Sequence, residues 1–383
     1  MIRNLAFAAA AAVATAACSN DRLPTDSAAR LDASLSADPA AGGGAGAVYT
    51  LTNASARNAV AIFTRSADGT LTPSGTVGTD GFGTGGGLGS QGALALSSDD
   101  RWLFAVNAGS NDVSAFAVTP TGLALASRVS SGGALPISLT VHGNLLYVLN
   151  AGGSGNIAGF TVGRGGGLVP LPGSTRPLSG TATGPAQVAF SPNGNWLVVT
   201  EKNTNLIDTY AVGADGSARG PTTSPSVGIE PFGFSFGLRG ELLVSEAFSG
   251  AANQSAASSY TVGADGRLQP VSASVTTQQT AACWLVVTPD GRFAYTTNTG
   301  SGSISGFRVN TSGVLSLLDS DGRTGVVGAG PIDMAVTNNG QYIYDLNSRD
   351  GTLSAFRIQS DGSLAALAGA AGLPAGAVGL AAR

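Results

Sequence analysis

The sequence is poor in the side chains that most enzymes use for nucleophilic and metal chemistry. Among its 383 residues there are one histidine, His142, and two cysteines, Cys18 and Cys283. Zinc and copper sites draw on clusters of His and Cys, and a Ser-His-Asp triad needs a histidine beside its nucleophile. We therefore predict no metal ion and no cofactor, although calcium bound by clustered carbonyl groups stays open.

Charge is also scarce, since only 11% of the residues are charged and the formal net charge is −4. Nucleic acids and anionic lipids attract proteins that carry basic clusters, and the sequence has none. We expect no nucleic-acid partner, and contact with a membrane only through an N-terminal lipid. The glycine run at residues 82–88 lacks the strand-to-helix context and the lysine of a phosphate loop, so it is predicted to be a loop.

Glycine and short repeats are abundant instead. The chain has 57 glycines and 17 prolines, a composition typical of a turn-rich all-β protein. An aromatic residue followed six residues later by glycine recurs seven times. The pairs are Phe63/Gly69, Phe116/Gly122, Phe160/Gly166, Tyr210/Gly216, Tyr260/Gly266, Phe307/Gly313 and Phe356/Gly362. Before each aromatic, a predicted strand ends on a polar residue, namely Asn53, Asn107, Asn150, Glu201, Glu246, Asn298 or Asn347.

One repeat can be followed through residues 283–318. An apolar run at 283–288 precedes a Pro-Asp-Gly turn, and three further strand patterns follow at 292–298, 303–309 and 314–318. This spacing predicts a four-stranded antiparallel unit, and seven such units predict a seven-bladed β-propeller. Residues 372–381 resemble the start of an inner strand, so we expect the C-terminus to complete the N-terminal blade and close the ring.

The N-terminal residues have the pattern of a targeting segment. Residues 1–18 combine a charged start, an apolar stretch and small residues before Cys18, which is typical of an export signal. Lipidation at Cys18 and simple cleavage both remain open. Residues 19–47 are predicted to be a flexible tether and residues 48–383 the propeller. We expect an exported monomer that is periplasmic or anchored to the cell envelope.

Antiparallel pairing places the start of each inner strand and the end of its neighbour at the same rim of the axial channel. We expect the functional site at this rim, and His142 at the opposite one. The candidate side chains at the rim are Gln187, Trp284, Asp333, Asn107, Asn150, Glu201, Lys202, Glu246, Asn298 and Asn347.

Residues 104–118 (FAVNAGSNDVSAFAV) and 184–202 (GPAQVAFSPNGNWLVVTEK), with the SPNG and TPDG turns, resemble the bacterial β-propeller lactonase family. That family includes 6-phosphogluconolactonase and 3-carboxymuconate cyclase, and the resemblance covers roughly residues 48–383. It implies hydrolysis of a lactone or cyclic ester. In the family, a histidine after the strand-opening proline and a glutamate after the strand-ending asparagine are implicated in the site. Here those positions hold Gln187 and Lys202.

The rim side chains allow lactone opening by a carboxylate base with a cation at the developing oxyanion. Glu201 or Glu246 is the predicted base and Lys202 the predicted electrophile, with Asp333 able to pair with Lys202 across the channel. Substrate contacts are expected from Gln187, Trp284, Asp333, Asn107, Asn150 and Asn298, although Trp284 can equally fill space between blades. A non-catalytic propeller that binds a ligand or a protein partner is the alternative. The two hypotheses differ in whether the rim carboxylates converge on one pocket.

Overall fold

The computed structural model describes residues 46–383, which form strands arranged in seven antiparallel sheets. The predicted export signal, the lipidation at Cys18 and nearly all of the predicted tether lie outside the described residues. The first strand begins at Gly46, within the last two residues assigned to the tether. The seven sheets confirm the predicted all-β propeller.

The blades contain the following strands. Blade 1 has β1 (Gly46–Leu51), β2 (Ala59–Arg65), β3 (Leu71–Gly78) and β30 (Val378–Ala382); blade 2 has β4 (Leu94–Leu96), β5 (Trp102–Asn107), β6 (Asp112–Thr119) and β7 (Gly122–Ser130). Blade 3 has β8 (Pro136–His142), β9 (Leu145–Asn150), β10 (Asn156–Val162), β11 (Leu168–Pro170) and β12 (Arg176–Pro177); blade 4 has β13 (Pro185–Phe190), β14 (Trp196–Glu201), β15 (Leu206–Val212) and β16 (Ala218–Pro225). Blade 5 has β17 (Pro231–Phe236), β18 (Leu242–Glu246), β19 (Ala256–Val262) and β20 (Leu268–Thr276), with a 3₁₀ helix at Phe248–Gly250. Blade 6 has β21 (Ala282–Val287), β22 (Phe293–Asn298), β23 (Ser303–Val309), β24 (Leu315–Leu317) and β25 (Gly325–Val326); blade 7 has β26 (Pro331–Val336), β27 (Tyr342–Asn347), β28 (Thr352–Ile358) and β29 (Leu364–Ala371).

The C-terminal strand closes the ring, as predicted. β30 pairs antiparallel with β1, with Tyr49 opposite Ala381, and the Arg383 amide donates to the Ala47 carbonyl at 2.9 Å. The strand is shorter than the pattern at 372–381 suggested, since it begins at Val378. Because β30 is the innermost strand of blade 1, it pairs with the edge of β1 that would otherwise be left open.

The repeated glycine marks a contact between neighbouring blades. The recurring aromatics lie on the third strand of each blade and are buried. The glycine that follows has a positive φ, such as 83° at Gly266, where a side chain would strain the backbone. A Cβ at Gly266 would also lie 2.9 Å from the Trp196 ring of the preceding blade. Gly69, Gly166 and Gly362 meet an aromatic ring in the same way, so in these four blades the glycine is required by packing against the preceding blade.

His142 is the last residue of β8, a strand that starts at the channel rim with Pro136. The side chain is exposed, and its ring centroid lies 5.7 Å from that of Phe190. His142 is therefore at the rim opposite the strand-ending polar residues.

Candidate functional site

The strand-ending polar residues form a buried ring with one member per blade. None of them is more than 1% exposed. In three blades the asparagine donates from Nδ2, at 2.8 Å, to a serine hydroxyl two residues before the recurring aromatic. These pairs are Asn107 with Ser114, Asn298 with Ser305 and Asn347 with Ser354. Asn150 instead donates to the Ser131 carbonyl at 3.1 Å and to Asn156 Oδ1 at 2.9 Å. These hydrogen bonds join the strand ends to the neighbouring strands or, for Asn150, also to the Ser131 carbonyl, so the side chains are buried and occupied within the protein.

Glu201 occupies this position in blade 4. Its carboxylate accepts hydrogen bonds from the Ser179 amide at 3.0 Å, the Ser179 hydroxyl at 2.5 Å and the Thr204 hydroxyl at 2.6 Å. Asp208, on the adjacent strand, lies beside it. Burial, followed by the negative charge of Glu201, raises the pKa of Asp208 to about 8. The two carboxyl groups therefore share a site in which Asp208 keeps its proton at neutral pH.

Glu246 occupies the same position in blade 5. It accepts from the Ser258 hydroxyl at 2.5 Å, the Ser274 hydroxyl at 2.6 Å and the Gly228 amide at 2.9 Å. Burial raises its pKa, while these donors act in the opposite direction. Glu201 and Glu246 thus have separate sets of partners in separate blades, and the structure does not bring them together in one pocket.

Residues 88–92, which we call the axial segment, cross the channel ahead of β4. The Gln91 amide donates to the Ala186 carbonyl of blade 4 at 3.0 Å, and the Gln91 side chain bonds both the amide and the carbonyl of Leu285 in blade 6. The Ser90 hydroxyl donates to the Ile137 carbonyl of blade 3 at 2.8 Å. The centre of the rim is therefore filled by the protein's own backbone.

Gln187 and Trp284 contribute to the packing at the centre of the rim. Gln187 pairs with the backbone of Phe234, donating at 3.0 Å and accepting at 2.7 Å. The Trp284 indole is 1% exposed, donates to the Ser90 carbonyl at 2.9 Å, and packs against Phe232 with ring centroids 4.9 Å apart. Trp284 fills space between blades and offers no open face for stacking.

The expected pairing of Asp333 with Lys202 does not occur. Asp333 is 2% exposed and accepts hydrogen bonds from the amides of Gly92, Met334 and Gly379, and burial raises its pKa well above the usual range. Lys202 donates instead to the Gly89 carbonyl at 2.5 Å. The axial segment lies between the two side chains and binds each of them, which the strand pattern could not reveal.

Lys202 lines a cleft of about 300 Å³ at the rim, beside the axial segment. Its other lining residues come from the axial segment and from blades 3 and 4, namely Leu88, Leu135, Ile137, Ala151, Gly153, Ser154, Ala182, Thr183, Gly184, Pro185 and Asn203. Lys202 is the single lysine of the sequence and the one charged residue among those that line the cleft.

Burial of Lys202 disfavours the protonated form of its side chain. The side chain is half-buried, and Nζ lies 4.7 Å from the centroid of the Phe232 ring. Burial lowers the pKa of Lys202 to about 8, whereas the nearby Glu230 carboxylate acts to raise it. Burial raises the pKa of Glu230, whose Oε2 accepts the Ser249 amide at 2.7 Å. A lysine with such a pKa exchanges its proton near neutral pH and can serve as an acid or a base.

Two residues beside this cleft, Leu135 and Glu230, were not predicted from the sequence. Leu135 and Glu230 directly precede the first proline of β8 and β17, and they have φ values of 53° and 60°. The corresponding residues before β13 and β26 are Gly184 and Gly330, which adopt positive φ without strain. The available signal was the presence of Leu and Glu where blades 4 and 7 have glycine; blade 6 has Ala281 there, with a φ of 59°.

No three His, Cys, Asp or Glu side chains within residues 46–383 are grouped so that they could hold a metal ion. Across the same residues, no helix is long and apolar enough to cross a bilayer.

The family model for the seven-bladed β-propeller lactonases matches residues 46–175 and 264–377. Since these segments make up more than half of the chain, the protein belongs to this family. No curated protein gives a significant match.

Several solved structures share the fold. A periplasmic gluconolactonase from Pseudomonas aeruginosa is 19% identical, with a TM-score of 0.68 over 88% of this chain and 99% of that one. A candidate 6-phosphogluconolactonase from Bacteroides uniformis is 20% identical, with a TM-score of 0.69 over 87% and 98%. A protein from Lactobacillus plantarum is 15% identical, with a TM-score of 0.70 over 88% and 99%. At these identities the likeness concerns the fold alone.

Proposed function

We propose that the protein hydrolyses a lactone or related cyclic ester in the cleft at Lys202. The observation that carries this proposal is the lone lysine, whose pKa is lowered to about 8 at the wall of a rim cleft. Membership of the lactonase family supports the reaction class. Perturbed titratable groups in clefts are enriched at catalytic sites, which adds a physical reason.

In the proposed reaction, neutral Lys202 is the general base. Water attacks the lactone carbonyl carbon, and its proton moves to Nζ as the tetrahedral oxyanion forms. The ring carbon–oxygen bond then breaks, and the Lys202 ammonium returns the proton to the leaving alkoxide, which yields a hydroxy acid. The Gly89 carbonyl holds one N–H of the amine at 2.5 Å, so that the lone pair can turn towards water.

Glu230 has a positioning role in this scheme, because it is 7% exposed and does not line the cleft. Its carboxylate acts on the pKa of Lys202 through space. Glu201 and Glu246, the bases expected from the sequence, are 0% exposed and engaged with serine and threonine hydroxyls. A ligand in the cleft would touch neither of them.

Lys202→Met tests the proposal, because methionine keeps the length of the side chain and removes the base. We expect a panel of lactones to include at least one substrate, and kcat to fall about 10²–10⁴-fold in the variant. Arg349→Met, which removes an exposed cation after β27 at the same rim, is the matched control and should leave kcat unchanged. Equal activity of Lys202→Met and the unaltered protein would refute the assignment.

A non-catalytic binding role is the second candidate. It is favoured by the dispersal of Glu201, Glu246 and Asp333, which leaves no carboxylate at the cleft surface. If no lactone in the panel is hydrolysed, while calorimetry detects a lactone bound at the Lys202 cleft, the binding role replaces the enzymatic one.

We also propose that the protein works outside the cytoplasm, on the basis of the export pattern at residues 1–18. The periplasmic gluconolactonase of the same fold supports this location. Cell fractionation and intact-mass analysis test it: a lipid-modified protein that becomes unmodified in Cys18→Ala indicates anchoring. An unmodified protein in the cytoplasmic fraction contradicts export.

A further inference from the structure

The cleft lies between blade 4, which provides most of its polar side chains, and blade 3 with the axial segment, which provide its apolar ones. Lys202, Asn203 and Thr183 form the polar wall, whereas Leu88, Leu135, Ile137 and Ala151 form the apolar wall, which also includes Ser154. Such a division suits a ligand with a polar ring at one end and a hydrocarbon group at the other. Of the apolar residues, Leu135 is the most open to solvent, at 36% exposure.

The backbone of Leu135 is held in a conformation that disfavours leucine. Its φ of 53° lies in the left-handed region, where residues with a branched side chain are rare. The Leu135 amide donates to Asn111 Oδ1 at 2.7 Å, and its carbonyl accepts the Ala151 amide at 2.9 Å, so both sides are fixed. Glycine occupies the corresponding position at Gly184 and Gly330. Glu230 and Ala281 also have positive φ at this position, but Leu135 is the one large apolar side chain among them, and it lies partly exposed in the lining of the cleft.

The polar wall is poorly suited to a phosphate group. Dianionic phosphate is usually held by several donors from arginine side chains, helix N-termini or glycine-rich loops. Among the residues that line the cleft, Lys202 is the one cation, and it already donates to the Gly89 carbonyl. A phosphorylated sugar lactone would lack a second positive charge.

We propose that the cleft selects lactones that carry an alkyl substituent, with the ring carbonyl near Lys202 and the hydrocarbon on Leu88, Leu135 and Ile137. This inference rests on the proposed function. It defines the substrate class by hydrocarbon burial and excludes phosphosugar lactones as preferred substrates.

A series of γ-lactones with unbranched side chains of increasing length tests this inference, with 6-phosphogluconolactone for comparison. We expect kcat/KM to rise with each added methylene until the cleft is filled, by at most about fourfold per step. Leu135→Gly should flatten this dependence while remaining folded, because glycine adopts positive φ freely. Val326→Ser, at an apolar residue that is 70% exposed in β25 of blade 6, is the matched control and should keep the slope.

The outcomes separate this inference from the proposed function. Hydrolysis that is independent of chain length, or fastest with 6-phosphogluconolactone, overturns the alkyl selectivity and leaves the hydrolase proposal standing. If no lactone is hydrolysed, but calorimetric affinity for the γ-lactones rises with chain length and falls in Leu135→Gly, the hydrolase proposal fails and the apolar subsite stands. If kcat/KM increases with chain length in Leu135→Gly as steeply as in the unaltered protein, Leu135 does not bind the hydrocarbon group.

Discussion

Blades 4 and 5 carry a glutamate at the same position, yet the two carboxylates have different surroundings. Glu246 is enclosed by three hydrogen-bond donors, and one of them, Ser258, lies two residues before the recurring Tyr260. In blade 4 that position is Asp208, so Glu201 faces a second carboxyl group. The residue two positions before the recurring aromatic thus determines whether the buried glutamate faces a hydroxyl group or a second carboxyl group.

This difference extends towards the cleft. Ser179 binds Glu201, and the Tyr210 hydroxyl donates to the Pro177 carbonyl at 2.9 Å, so the blade 4 pair anchors the connection that continues to Thr183 and Gly184. Those two residues line the cleft beside Lys202. In blade 5 the equivalent connection ends at Glu230, which influences the pKa of Lys202. Blade 4 therefore contributes the titrating lysine, and blade 5 contributes the charge that adjusts it.

Removing each glutamate should give the largest effect. Glu246→Ala leaves two hydroxyls and an amide buried without their acceptor, so we expect the free energy of unfolding to fall by about 3–5 kcal/mol. Glu201→Ala should cost less, about 2 kcal/mol, because the neighbouring Asp208 carboxyl group stays in the site and can accept hydrogen bonds from the freed donors. Urea denaturation at pH 7 measures both, with Glu246→Gln as the control that retains an acceptor. Equal losses for the two alanine variants would contradict the distinction between the blades.

Exchanging the residue two positions before the recurring aromatic should have an intermediate effect. Because the pKa of Asp208 is about 8 in the folded protein and near 4 when unfolded, its protonation favours folding at low pH, and this contribution is lost as pH rises through 8. Asp208→Ser, which reproduces blade 5, should stabilise the protein by about 2 kcal/mol at pH 9 and much less at pH 4.

The reciprocal change, Ser258→Asp, should destabilise blade 5 with the same pH dependence. Thermal melts of both variants from pH 4 to 9 are the measurement. A change in melting temperature that is the same at every pH, in either variant, would argue against a protonated aspartate beside the buried glutamate.

The smallest expected effect concerns Lys202. As the single lysine, it can be labelled with an amine-reactive reagent and located by peptide mass analysis, and the labelling rate should titrate near pH 8. Glu230→Gln removes the charge that raises this pKa, so the midpoint should move down by less than about one unit, and the lactonase pH profile should move with it. A midpoint near the ordinary lysine value of about 10.4 would show that Lys202 is not desolvated.

Much of the fold could be predicted because each blade repeats local rules. The aromatic-to-glycine spacing and the strand-ending polar residues located the strands, and the missing inner strand of blade 1 located the closure. The candidate site was harder, because Lys202 meets Gly89 across 113 residues of sequence and Gln91 meets Leu285 across 194. The pattern placed Glu201 and Glu246 at the correct end of their strands. It could not show that hydroxyl groups would bind both carboxylates, from Ser179 in a connecting loop and Thr204 in a turn for Glu201, and from Ser258 and Ser274 on neighbouring strands for Glu246.

The axial segment also has a consequence for unfolding. In a repeat array whose units touch only their neighbours, the units can open one after another. Residues 88–92 of this chain bond directly to blades 3, 4 and 6 and, through Gly92, to Asp333 of blade 7. Opening any of these blades breaks hydrogen bonds to the axial segment. Because the other blades bond to the same segment, the stabilities of distant parts of the ring are coupled. The seven repeats should therefore unfold as a single cooperative unit.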